Sequence, residues 1–238
     1  MICIFFDETS DVKFKDYFGI SCAAVKHNYY GHIKDGFQKI LLDGGWDPTI
    51  EFKGAYLFSA SKGCTNIPVD KRVEMAEAVI DLNVASKNAR MKFAYLRKSS
   101  QNSRDDYLSY LPTLLEKILK SYGKDSGQGK DLVSVYCDYR SDISISQLRE
   151  VAIPVLKANK FKLYEDVHVV HSNFETVGIL YADIVGYLMS RIETIANDSE
   201  LFESIPPDAL LTNGKFRKLQ TSIGLIDKIK SLTRYEIK

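Results

Sequence analysis

Four carboxylates and one lysine stand where they could do chemistry. Asp7 ends the apolar run 2–6 (Ile-Cys-Ile-Phe-Phe), and Asp138 ends the apolar run 132–137. Each run has the composition of a buried strand, so each acid falls at the carboxyl end of a strand. In an open α/β sheet, ligands bind at that edge. Taken alone, either Asp could equally open a turn or cap the next segment. Asp183 sits inside a helical pattern, where Asp is disfavoured and costly if half-buried without a partner. A bound cation or a hydrogen bond at the rim would each account for it. Glu51 and Lys53, two apart in Ile50-Glu51-Phe52-Lys53-Gly54, could point the same way from an extended segment or form a solvated ion pair. Carboxylates converging without histidine form a hard oxygen set suited to Mg²⁺ or Mn²⁺. That set serves two-metal phosphoryl chemistry. Without metal the acids would repel one another, and some would have raised pKa values.

The elements that must position these residues can be read from the pattern. Segments 2–6 and 18–25 predict a hairpin around the polar turn 11–16 and add an antiparallel edge to the sheet. Helices are expected at 29–42 (stopped by Gly44-Gly45) and at 69–86, with Val73, Ala76, Ile80 and Val84 on one face. Strands at 91–97, 132–137 and 163–170 then alternate with helices at 105–121, 144–158 and 175–194, which predicts βαβ units. The fold class is therefore α/β, with a mixed sheet flanked by helices. In the last helix Val177, Leu180, Tyr181, Ile184, Val185, Leu188, Met189 and Ile192 form a packing stripe. Gly178, Ala182 and Gly186 recur beside it. Small residues let the helix backbone approach the sheet, and a close approach lets Asp183 reach a strand end. A domain at 1–197 followed by a linker and a helical extension at 198–238 is the expected organisation.

Composition narrows the class. The chain has 238 residues, 45% of them hydrophobic, and a net charge of +1 from 32 basic and 31 acidic residues. That balance argues against a protein held on nucleic acid by bulk charge. By position the balance is a cancellation: 85–104 carries six basic residues and no acid, and 215–238 carries seven basic and two acidic residues. Either stretch is a solvated face or tracks a nucleic-acid backbone. Cys3, Cys22, Cys64 and Cys137 form no C-x-x-C pair and are read as free thiols in a reducing cytosol. Neither a signal peptide nor a membrane span is expected, and the protein reads as cytoplasmic. His168 and His171 lack cysteine partners for a zinc site. Phosphate-loop, dinucleotide and nucleophile-elbow motifs do not occur. The glycine-containing segment 123–130 precedes a strand and is a poor phosphate cradle.

Asp7-Glu8-Thr9-Ser10, Glu51-Phe52-Lys53, Asp138 after its strand, His171-Ser172, and Gly178-Ile179-Leu180-Tyr181-Ala182-Asp183 followed by Arg191 occur in an order that resembles domain-of-unknown-function family 3800. The resemblance spans roughly residues 1–195. Ser10 stands where that family has glycine, and Leu180 where it has glutamine. The resemblance implies a ribonuclease H-like fold and a metal-dependent nuclease-like activity on DNA or RNA. Asp7, Glu51, Asp138 and Asp183 would hold the metals, and Lys53 would orient a phosphate. A non-catalytic module of the same fold that binds nucleic acid or protein is the competing reading. A nucleotide hydrolase or kinase on a related fold is a third, disfavoured by the missing glycine and phosphate loops.

Overall fold

A computed structural model describes residues 1–10, 17–85, 91–99, 103–122, 132–190, 223–228 and 233–237. The first part of the expected linker and extension (198–222), the loop 123–130, the turn 11–16, Arg191 and Ile192 lie outside them. The opening hairpin pairs β1 (Ile2–Ser10) with β2 (Tyr17–Lys26). Helix α1 (His27–Asp43) follows, then a single 3₁₀ turn at Gly54–Tyr56 and α2 (Val69–Ala85). The chain continues through β3 (Lys92–Ser99), α3 (Ser103–Lys120), β4 (Leu132–Asp138), α4 (Ile145–Ala158), β5 (Lys162–Val170) and α5 (Val177–Ser190). It closes with β6 (Thr233–Ile237).

The strand order is β5-β4-β1-β2-β3-β6. β1 is parallel to β4, β4 to β5, and β3 to β6, while β2 is antiparallel to both of its neighbours. The sheet is mixed and flanked by helices, as expected. Two details differ from expectation. The hairpin is not the edge of the sheet, because β3 pairs along the free side of β2 and buries it. The C-terminal extension is not wholly helical: 223–228 is helical, but Thr233–Ile237 forms a strand that covers the outer side of β3. Thr-Arg-Tyr-Glu-Ile alternates β-branched or aromatic residues with charged ones, a short strand pattern that the expected helical extension passed over. Its backbone hydrogen bonds to β3 decide its conformation.

Strand alternation divides the core in two. Cys3, Phe5, Ala23, Val25, Phe93 and Tyr95 face a layer made by α1, α2, α5 and the segment 46–67. Ile4, Phe6, Ile20, Cys22, Val133 and Val135 face α3 and α4. Of the fourteen residues of α5, twelve are buried, so it is a core helix covered on nearly all sides rather than an amphipathic one. The small-residue row does what the sequence predicts. A Cβ on Gly178 would lie 2.3 Å from the Phe5 ring, and one on Gly186 would lie 2.9 Å from Ser21 Oγ. Between them the Ala182 carbonyl accepts a 2.8 Å hydrogen bond from Ser21 Oγ, which also lies 3.2 Å from the Asp7 carbonyl. This contact fixes α5 over β1 and β2, and with it the height of Asp183 above the sheet. The four cysteines are buried and free. Among the described residues, no helix is long and apolar enough to cross a membrane.

Candidate functional site

The parallel pairing of β1 with β4 ends at Phe6↔Cys137. Asp7 and Asp138 are the next residues on each strand, side by side at the carboxyl edge. By alternation both lie on the face that carries α5. Asp7 is not the end of its strand, because β1 continues to Ser10 along the hairpin. It is the point where one neighbour is lost and the sheet opens. Asp7 is only 5% exposed, and its Oδ1 accepts the Glu8 N–H at 2.7 Å. Burial, then the charges of Asp183 and Asp138, push its pKa well above the ordinary carboxylate value.

Asp183 approaches from α5. Its Oδ2 accepts the Gly54 N–H at 2.5 Å. Burial raises its pKa to about 6, against the pull of that N–H and of Lys53, with Glu51 and Asp138 adding to the rise. Asp138 turns its Oδ1 to Ser172, accepting from the backbone N–H at 3.1 Å and from Oγ at 2.8 Å. Glu51 and Lys53 pair with each other at 3.0 Å. Burial lowers the Lys53 pKa, but the Glu51 carboxylate outweighs it and the net shift is upward.

The structure therefore draws Asp7, Asp138 and Asp183 to one strand edge, where their charges act on one another. Glu51 and Lys53 stand beside Asp183. The side chains do not close on a common point. Among the described residues, no three His, Cys, Asp or Glu side chains are grouped so as to hold a metal ion as placed. Each acid instead takes its own donor: Glu8 N–H, Ser172 and Gly54 N–H. Hydrogen bonds from separate donors favour the charged form of each acid at a partly desolvated edge. The donor set is nonetheless of the kind Mg²⁺ and Mn²⁺ prefer, all hard carboxylate oxygen.

Several participants were not singled out by sequence reasoning. Gly54 supplies the donor to Asp183, and Ser21 ties Asp7's strand to α5. On the other face of the same edge, Arg140 pairs with Glu8 and, at 2.7 Å, with Asp142; its guanidinium lies 5.4 Å from the Tyr107 ring centroid. Burial raises the Glu8 pKa against the pull of Arg140. Arg72 had a visible signal. It precedes Ala76 by four and Ile80 by eight, so it sits on the apolar stripe of its helix. A groove of about 350 Å³ between α4 and β5, lined in part by Ile153, Leu156 and Phe161, opens on the α4 face and takes no part in this site.

No family model matches the chain, and no curated protein matches it. Among solved structures it is similar to the ribonuclease H2 of Pyrococcus horikoshii OT3, at 11% identity and a TM-score of 0.43, over 97% of this chain and 99% of that one. It is similar to the same degree, 11% and 0.43, to the ribonuclease HII of Archaeoglobus fulgidus in its complex with PCNA, over 100% of this chain and 96% of that one. So distant a likeness says nothing of activity.

Proposed function

We propose that this protein is a metal-dependent, nuclease-like hydrolase of phosphodiester bonds, and that it belongs to domain-of-unknown-function family 3800. The observation that carries the reading is the meeting of Asp7 and Asp138 at one strand edge under Asp183, three acids from three distant parts of the chain. Desolvated like charges are unfavourable, and a divalent cation is the partner that relieves them. Asp7, Asp138 and Asp183 would hold Mg²⁺ or Mn²⁺, with Glu51 completing the set from the segment before the 3₁₀ turn. The chemistry such a pair supplies when bound is activation of water and stabilisation of the leaving oxygen. Lys53 beside Asp183 offers its ammonium to a phosphate oxygen once Glu51 turns to the metal. Ser172 and the Gly54 N–H hold Asp138 and Asp183 at the edge. The basic stretches 85–104 and 215–238 would track the backbone of DNA or RNA, in the cytoplasm.

The test is incubation with single- and double-stranded DNA and RNA in Mg²⁺ or Mn²⁺. Cleavage abolished by Asp7→Asn and Asp138→Asn supports the reading. Absence of cleavage, or equal cleavage by the double variant, removes it. One observation favours the second reading, a non-catalytic binding module: every one of the three acids already has its own hydrogen-bond donor. Salt-dependent nucleic-acid binding without turnover would establish that reading instead.

A further inference from the structure

Arg72 on α2 is 1% exposed, yet the described residues place no acid among its hydrogen-bond partners. Its Nε donates to the Ile67 carbonyl at 2.9 Å. Its Nη1 faces the carbonyls of Tyr56 at 2.8 Å, Ser59 at 2.5 Å and Lys62 at 3.0 Å. A buried cation is tolerated only when its donors are satisfied. Among the described residues the acceptors of Arg72 are four backbone oxygens, all in the stretch 56–67. The guanidinium holds Nε and Nη1 apart in one rigid plane, so it serves the Ile67 carbonyl from one nitrogen and the other three from the next, a two-point hold that a single ammonium nitrogen cannot reproduce.

That stretch leads straight to the candidate site. The Tyr56 N–H donates to the Lys53 carbonyl at 2.9 Å, and the Leu57 N–H to the Gly54 carbonyl at 3.2 Å. Gly54 in turn donates its own N–H to Asp183. Hydrogen bonds thus run without a gap from the Arg72 guanidinium through the 3₁₀ turn to the Asp183 carboxylate. Gly63 shapes the same stretch with φ +75°, and a Cβ there would lie 2.9 Å from the Tyr56 Cβ.

We infer that Arg72 is a positioning residue for the acidic centre: it fixes the turn that presents the Gly54 N–H to Asp183 and sets Glu51 and Lys53 beside it. Its value to the centre rests on the metal reading above, but its hold on the turn does not. The experiment compares wild type, Arg72→Lys and Gly63→Ala by amide hydrogen exchange in metal-free protein. Arg72→Lys keeps the charge and loses the fork. Gly63→Ala strains the same stretch with the guanidinium intact, and it serves where the arginine variant does not fold. The Gly54 and Leu57 amides should exchange at least tenfold faster in either variant, while the Phe5 and Val135 amides change less than twofold. Equal acceleration of the sheet amides, or no acceleration at Gly54, overturns the inference. A Mn²⁺ titration of the same proteins, followed by melting temperature, separates the two claims. No shift in wild type removes the metal reading and leaves the exchange result to judge Arg72. A wild-type shift with about tenfold weaker Mn²⁺ binding in Arg72→Lys supports the positioning role, and equal affinity overturns it.

Discussion

Replacing Asp183 by Asn in metal-free protein should stabilise it at pH 8 and leave it almost unchanged at pH 4. Burial moves the Asp183 carboxyl from an ordinary 3.8 to about 6. In the unfolded chain it gives up its proton near the ordinary value. Between those two values the folded state binds more protons than the unfolded state. Stability therefore falls as pH rises through that window, and the loss is complete above about pH 6. A displacement of that size corresponds to about 3 kcal/mol at most. The carboxyl is half-buried rather than sealed, so solvent screening brings the expected penalty to about 2 kcal/mol. Asn keeps an oxygen for the Gly54 N–H and removes the charge. It also relieves Asp7, whose own pKa is raised by burial and then by Asp183. The assay is urea denaturation in chelator at pH 4, 6 and 8. The difference between variant and wild type should grow from near zero to about 2 kcal/mol. At roughly 0.5 kcal/mol per degree for a chain of this size, that is about 4 °C in Tm. A difference that is flat with pH, or a variant less stable than wild type at pH 8, refutes the reasoning.

Two glycines should respond to the same substitution with opposite signs. Gly178→Ala gains about 1 kcal/mol of helix propensity, but the new Cβ at 2.3 Å from the Phe5 ring forces α5 off the sheet, and a net loss of about 2 kcal/mol is expected in urea denaturation. Gly31→Ala in α1 meets nothing within 4 Å and should gain up to about 1 kcal/mol in the same experiment. At the start of α4, Ser144 accepts from the Gln147 N–H in a capping box, so Ser144→Ala should cost about 1 kcal/mol and leave metal binding unchanged, as melting with and without Mn²⁺ will show.

What was legible in the sequence was what local pattern controls. Apolar runs ended by Asp7 and Asp138 fixed the strands and the edge where the acids meet. The spacing of Gly178, Ala182 and Gly186 announced a helix backbone lying close on the sheet. What was not legible depends on distant partners. The directions of the acid side chains are set by Ser172, 34 residues from Asp138, and by Gly54, 129 residues from Asp183. The 3₁₀ turn has no periodicity, and its shape comes from Arg72 on the next helix. The interior position of β2 follows from β3 choosing its free side, and β6 exists because that outer edge of β3 needs a partner. The alternation in 233–237 marks β6 as a strand, but which strand each one pairs with is decided by distant residues.

The central claim is that Asp7, Asp138 and Asp183 form a divalent-cation site, and the most direct measurement is the melting temperature of wild type and Asp138→Asn with and without Mn²⁺. A cation that binds only the folded state at a hundred times its Kd adds about 2.7 kcal/mol, or about 5 °C here. The account predicts that rise in wild type and its disappearance in Asp138→Asn. No rise in wild type, or the same rise in both proteins, would contradict it.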